Sequence, residues 1–427
     1  MAKIKTITAY EIIDSRGYPT LEGRLILDSG VAVVSSVPSG TSVGKYEALE
    51  VRDNDSQRYN GYGMLRAASY VNDLIGPKLV GVDPSRQQEV DYWLIKADGT
   101  KNKSRIGTNV ILLVSQLIAK AAAKTQNLPL FVYLNQILRQ NYKVDIKIDK
   151  IPTPMFNIIN GGKHANNNID FQEYDVIPSS SFSFSKAYQY GVEIFHELRR
   201  VLQYRNAAIS VGEQGGLTPN FTTNIDALEA IKEAISQRNL RVGSDIFLGL
   251  DIAASHFYKD QRYYIKDKPH PLKSNEYFDF IEKMIDRYSL LVVEDPFDQD
   301  SWEWWKKITE SSSENAYIVG DDLLSTNKDR ILMAIKEDAC STILIKPNQT
   351  GSISEVLEVV NIAKTNKLNY IVSNRSGETN DPFAADLAVA IQSDFVKFGA
   401  PTRGERVAKY NRLWQIEREE LKKNSTT

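Results

Sequence analysis

Five polar residues in the second half of the sequence stand where chemistry can be done. Asp251, Glu294, Asp321, Lys346 and Arg375 each fall at or just past the end of a short apolar run: DIFLGLD (245–251), SLLVVED (289–295), AYIVGDD (316–322), STILIK (341–346) and NYIVSN (369–374). Three carboxylates without histidine or thiol make a hard oxygen site, which suits Mg²⁺ rather than zinc. A lysine beside such a site serves as a general base if nearby positive charge lowers its pKa. Arginine followed by serine, Arg375 and Ser376, suits the clamping of phosphate or carboxylate. The set describes a Mg²⁺ enzyme that removes a proton next to a carboxylate and stabilises the resulting enediolate. A single acidic residue in such a place is more often a helix N-cap or a loop salt bridge. Five chemically coherent residues in successive units are harder to assign to capping.

The elements that must position these residues follow from the rhythm around them. From about residue 150 onward, short apolar runs alternate with amphipathic stretches such as residues 274–287 and 352–364. Such β-then-α units predict a parallel sheet with covering helices. Buried parallel strands read as unbroken apolar runs, as these do. A (β/α) barrel fits the length better than an open sheet, and in a barrel the C-terminal rim of the strands gathers the active site. Residues 1–140 read instead as a small α+β unit. Alternation at residues 3–10 and 20–27 predicts an antiparallel sheet, and residues 110–124 (VILLVSQLIAKAAAK) predict a buried helix. The polar segment 139–150 is the expected boundary, giving an N-terminal unit of 1–140 and a barrel of 141–427.

Composition narrows the function classes. The 427 residues are 42% hydrophobic and 25% charged, an ordinary globular balance, and the length allows two or three domains. Lys plus Arg is 52 and Asp plus Glu is 54, so the net charge of −2 lacks the basic surplus of a nucleic-acid or membrane-surface binder. The lone Cys340 excludes an internal disulfide, and His164, His196, His256 and His270 are too scattered for a histidine metal cluster. The opening MAKIKTITAYEIIDSRG has no apolar core of signal-peptide length, and no run approaches the roughly 18 apolar residues of a membrane helix. A cytoplasmic protein is therefore expected. GTSVGK (40–45) is too short for a phosphate loop and is followed by Tyr46 where Ser or Thr belongs, so no nucleotide site is expected there. NGGKHANNN (160–168) has the polarity of an active-site flap.

The sequence resembles the enolase (phosphopyruvate hydratase) family from near its start to about Arg412. The resemblance is carried by EIIDSRGYPT, VPSGTSVGKYEALEVRD, MFNIINGGKHANNNIDFQEY, LGLDIAASHFY, VEDPFDQDSW, VGDDLLSTN, LIKPNQTGSISE, NRSGETND and GAPTRGERVAKYN. It implies an α/β fold, a small N-terminal α+β domain followed by a modified (β/α)8 barrel with an irregular start. It also implies a homodimer, a small phosphorylated carboxylate as substrate, and two Mg²⁺ ions, the second arriving with substrate. Asp251, Glu294 and Asp321 match the ligands of the first ion, and Glu294 and Asp321 also border the substrate. Ser42 matches the loop serine that meets the second ion. Lys346 matches the base at C2, and Arg375, Ser376 and Lys397 match contacts to substrate carboxylate and phosphate. His164, Gln172 and Glu173 match the flap histidine and the pair lining the pocket.

Departures from the family pattern cluster on one part of the chemistry. Where the family reads VGDEGG, residues 211–216 read VGEQGG, so the glutamate that protonates the departing C3 hydroxyl is Gln214, an amide with no acidic proton. Where the family reads HRSGE, residues 374–378 read NRSGE, replacing a histidine by Asn374. Tyr18, Val43 and Pro347 are lesser changes. Three readings stay open on sequence alone. The first is an enolase with Glu173 as substitute acid acting through water. The second is an enolase-like biosynthetic enzyme on a related phospho- or phosphono-carboxylate, resembling carboxyphosphonoenolpyruvate synthase. The third is a non-catalytic homologue.

Overall fold

A computed structural model describes residues 2–40, 44–165 and 168–421. The chain begins as an antiparallel meander of β1 (Ile4–Ile13), β2 (Pro19–Leu27) and β3 (Ala32–Ser36), in the order β1-β2-β3. One face of this sheet is covered by the helix Thr108–Thr125, whose apolar residues are buried almost all round. A helix this apolar must be enclosed on several sides. Close approach is secured at Gly23, where a Cβ would lie 2.9 Å from Leu117 Cδ1.

The barrel strands are β4 (Thr153–Asn160), β5 (Glu173–Pro178), β6 (Ile246–Asp251), β10 (Leu290–Glu294), β11 (Tyr317–Gly320), β12 (Thr342–Ile345), β13 (Asn369–Ser373) and β14 (Phe395–Lys397). Between β6 and β10 lies a small antiparallel sheet of β7 (Tyr258–Lys259), β8 (Arg262–Tyr263) and β9 (Leu272–Lys273). The barrel closes in the order β10-β11-β12-β13-β14-β4-β5-β6, so the open-sheet alternative is set aside. Its interior is filled by Met155, Ile177, Val292, Val319, Leu344, Ile371 and Phe395. This is a packed core, and ligands can reach only the rim.

One strand breaks the parallel rule. β5 pairs antiparallel with both β4 and β6. Its first residue, Glu173, therefore lies at the same rim as the last residues of its neighbours, opposite Asp251 on one side and Asn160 on the other. The register continues from Asp251 to Glu294 across β6 and β10. Strand order alone thus sets Glu173, Asp251 and Glu294 side by side.

The covering helices follow the predicted pattern. In Ile353–Thr365 the buried stripe is Ile353, Val356, Leu357 and Val360, and Ser352 caps the first turn by accepting from the Glu355 amide. Pro347 occupies the first position of the short helix Pro347–Thr350, where a backbone N–H is not needed. That departure therefore costs little.

Gly191, in the helix Phe184–Tyr204, has a structural test. A Cβ there would fall 2.3 Å from Phe156 Cε2, on a ring packed against Tyr188 and Tyr410. Gly→Ala in a helix ordinarily gains about 1 kcal/mol, whereas overpacking a core costs about 1–3 kcal/mol. Gly191→Ala is expected to lower the thermal midpoint. A raised midpoint would show that the Phe156 ring yields without cost.

Candidate active site

Ten of the sequence-predicted residues line a single cleft of about 500 Å³ at the barrel rim: His164, Gln172, Glu173, Gln214, Asp251, Asp321, Lys346, Arg375, Ser376 and Lys397. Glu294 does not border the cleft but joins it through Lys397. Ser42 and Val43 lie outside the described residues.

Lys397, the last residue of β14, is the electrostatic hub. Its Nζ lies 2.7 Å from Glu294 Oε2, 3.0 Å from Glu173 Oε2 and 3.3 Å from Asp251 Oδ2. Burial opposes its charge, but these carboxylates outweigh that effect and hold the ammonium well above its ordinary value. Glu173 also lies 3.0 Å from His164 Nδ1. Burial acts to protonate it, yet Lys397 and His164 together keep it well below the usual carboxylate range. Gln172 Nε2 donates to Asp251 Oδ2 at 3.2 Å.

Lys346 directly precedes the short helix Pro347–Thr350 after β12 and pairs its Nζ with Asp321 Oδ2. Sequence reasoning asks for a lowered pKa at this lysine, and the structure gives the opposite. Burial lowers it, but the Asp321 carboxylate more than compensates, and the net direction is upward. Arg375 Nη1 donates to Glu47 Oε2 at 2.7 Å, which ties the barrel rim to the N-terminal unit. Arg406 Nη1 and Nη2 each hold a carbonyl of the Arg375–Ser376 segment at 2.6 Å, fixing its course.

The acidic residues fit a hard divalent cation. Asp251 Oδ1 and Glu294 Oε1 are buried acceptors without a hydrogen-bond partner among the described residues. Burial pushes both pKa values up, each helped by neighbouring carboxylates and resisted by Lys397. Asp322, pressed by burial and by Asp321, rises to about 7. Such crowding is relieved by positive charge, and all the donors are oxygen. A second grouping, Asp295, Asp321 and Asp322, also brings carboxylate oxygens within 4.8 Å of one another. Asp295, however, already accepts from the backbone amides of Asp321 and Asp322 at 3.0 and 2.7 Å. These bonds orient the turn that presents Asp321.

Gln214 and Asn374, the two departures, meet directly: Asn374 Nδ2 donates to Gln214 Oε1 at 3.0 Å, and both residues are buried. Glu213, beside Gln214, does not line the cleft, and its carbonyl accepts from Arg406.

Comparison with known proteins decides the family. One family model, described as "Enolase, N-terminal domain", matches residues 4–134, and another, "Enolase, C-terminal TIM barrel domain", matches residues 149–426. The chain belongs to the enolase family. Enolases of Ehrlichia canis and Ehrlichia ruminantium are each 42% identical over 416 residues, covering 97% of this chain and 96% of theirs. The enolase of Natranaerobius thermophilus is 42% identical over 419 residues, 98% of this chain and 96% of its own. The enolase fold class expected from the sequence, including its irregular barrel start, is the one observed.

Several members of this enolase-family site escaped sequence reasoning. Glu47 sits in a loop of the N-terminal unit with no periodic signal around it, and only its partner Arg375 brings it to the cleft. Asp295 directly follows Glu294, so the pair could have been read together. His256, half-buried and 3.9 Å from Asp322, is lowered to about 4 by burial and by Lys163 and His164.

The hub makes a testable claim about stability. Lys397→Met removes the cation facing three buried carboxylates, and breaking such a network costs about 3–5 kcal/mol. In EDTA the denaturant midpoint is expected to fall accordingly, with partial recovery in Mg²⁺. An unchanged midpoint would show that the carboxylates protonate without penalty.

Proposed function

We propose that this chain is an enolase-type, Mg²⁺-dependent lyase acting between 2-phosphoglycerate and phosphoenolpyruvate. The observation that carries the reading is the gathering of Lys346, Asp321, Asp251, Lys397 and Arg375 in one cleft, with Glu294 joined to it through Lys397. Asp251, Glu294 and Asp321 would hold the first Mg²⁺, and Ser42 would meet the second. Bound Mg²⁺ would supply positive charge against the substrate carboxylate as C2 loses its proton. Lys346 takes that proton as the neutral amine, a form that Mg²⁺ on Asp321 would favour by occupying the carboxylate that otherwise holds the ammonium charged. Arg375 and Ser376 hold the phosphate, exchanging the Glu47 contact for the ligand. Lys397, His164 and Gln172 orient the carboxylate end.

Loss of the C3 hydroxyl needs a proton, and here the machinery is thin. Gln214 has none to give. Glu173 is held ionised between Lys397 and His164, so it must first take up a proton before it can relay one through water to the leaving hydroxyl. Slow dehydration is the expected consequence. Formation of phosphoenolpyruvate, followed by its ultraviolet absorbance with Mg²⁺ and again after EDTA, tests the reading. A metal-dependent product supports it, and an equal rate in EDTA would exclude it.

A second reading has one observation in its favour. The direct bond between Gln214 and Asn374 shows that the two departures form one unit. This favours a biosynthetic enzyme on a related phospho- or phosphono-carboxylate, resembling carboxyphosphonoenolpyruvate synthase.

The family resemblance also supports a cytoplasmic homodimer. Tyr10, Ile13 and Val34 expose apolar surface on the N-terminal sheet, and no helix among the described residues is long and apolar enough to cross a membrane. A light-scattering mass near twice 48.2 kDa is expected, and a monomer mass would contradict the assembly.

A further inference from the structure

Gln214 and Asn374 lie 160 residues apart in sequence and form one uncharged wall of the cleft. The hydrogen bonds fix which way each amide faces. Asn374 Nδ2 donates to Gln214 Oε1 and also to the Arg375 carbonyl, at 3.1 Å. A carbonyl accepts only from a donor, so this atom is nitrogen, and the Gln214 atom facing it is oxygen. With Oε1 committed, Gln214 Nε2 is the free end of the side chain. Among the described residues it donates to no protein group, while Gln214 borders the cleft.

A glutamate at this position offers an acid when protonated and repels anions when ionised. The amide does neither. It presents two N–H donors, and it removes a negative charge from the wall. Glu173, the carboxylate of the neighbouring flap-side wall, is occupied by Lys397 and His164. Lys346, Arg375 and Lys397 border the same cleft with positive charge and face three of its other carboxylates, Asp321, Glu47 and Asp251 respectively, while Asp295 and Asp322 also line it. The wall is therefore suited to a hydrogen-bond acceptor bearing negative charge.

We infer that Gln214 is a specificity residue whose Nε2 binds an anionic oxygen at the C3 end of the ligand, so that the site accepts a 2-phospho-carboxylate carrying a second carboxylate in place of the C3 hydroxyl. This rests on the enolase-type placement of phosphate on Arg375 and carboxylate at the metal end. It deepens the second reading by naming what the altered end of the substrate carries. Asn374 is the positioning residue, because its own anchor on the Arg375 carbonyl keeps Gln214 turned outward.

Calorimetric titration of the full chain in Mg²⁺ with two probes, 2-phosphoglycerate and 2-phosphomalate, tests the inference. The second probe carries a carboxylate where the first carries its hydroxyl. The native protein is expected to bind 2-phosphomalate at least as tightly as 2-phosphoglycerate. Gln214→Glu, which restores a like charge, is expected to weaken 2-phosphomalate about 100-fold while changing 2-phosphoglycerate less than tenfold. Gln214→Met keeps the volume without the donor and is expected to lose the preference for 2-phosphomalate without repelling it. Tenfold tighter binding of 2-phosphoglycerate by the native protein would overturn the inference and leave the enolase-type site standing. Binding of neither probe would overturn both.

Discussion

Gln214→Glu is expected to raise phosphoenolpyruvate formation from 2-phosphoglycerate by about 10²–10⁴-fold, the usual contribution of a positioned general acid. The base, the carboxylate cluster and the phosphate arginine already share one cleft, so the missing part is a proton donor at the C3 end. The substitution is nearly isosteric, and position 214 is buried beside Asn374, whose Nδ2 can still donate to a carboxylate oxygen. That bond would favour the ionised glutamate, which is the wrong form for an acid. Adding Asn374→His is therefore expected to give a further gain, through a ring that can adapt its protonation to its neighbour. A coupled assay of the two variants against the native chain reads this out. No gain in either variant would mean that the cleft has been rebuilt for another substrate.

Lys346→Ala is expected to lower exchange of the C2 proton by at least about 10³-fold while leaving ligand binding within about tenfold. The separation follows from geometry. Among the described residues Lys346 Nζ pairs with Asp321, whereas Arg375 and Ser376 are the residues proposed to hold the phosphate. Loss of the lysine leaves Asp321 buried with Gln349 Nε2 at 3.4 Å, so a modest loss of stability accompanies it, and a thermal melt should confirm folding. Exchange that persists in a folded variant would refute the base assignment and direct attention to another proton acceptor on the rim.

The sequence made much of this site readable because it lies at strand ends. Asp251, Glu294, Asp321 and Lys346 each terminate or follow an unbroken apolar run, and parallel register does the rest. Glu173 was invisible to that logic, since it starts a strand rather than ending one. Only the antiparallel run of β5 brings it to the rim, and periodicity does not report direction. β14 is three residues long, too short for pattern to announce, and Lys397 became legible through resemblance alone. The upward shift of Lys346 was also out of reach, because it depends on the contact with Asp321 rather than on the neighbours in sequence. The pairing of Gln214 with Asn374 required the fold, which joins the loop before the helix Asn224–Gln237 to the end of β13.

Proton NMR of the native chain with 2-phosphoglycerate and Mg²⁺ in D₂O reads C2 exchange and phosphoenolpyruvate appearance in the same tube. With Lys346, the carboxylates and Arg375 assembled but Gln214 unable to protonate the leaving group, loss of the C2 proton signal is expected to run well ahead of any vinyl signal. Absence of exchange under conditions where the ligand binds would contradict the central claim that this cleft removes a proton beside a carboxylate.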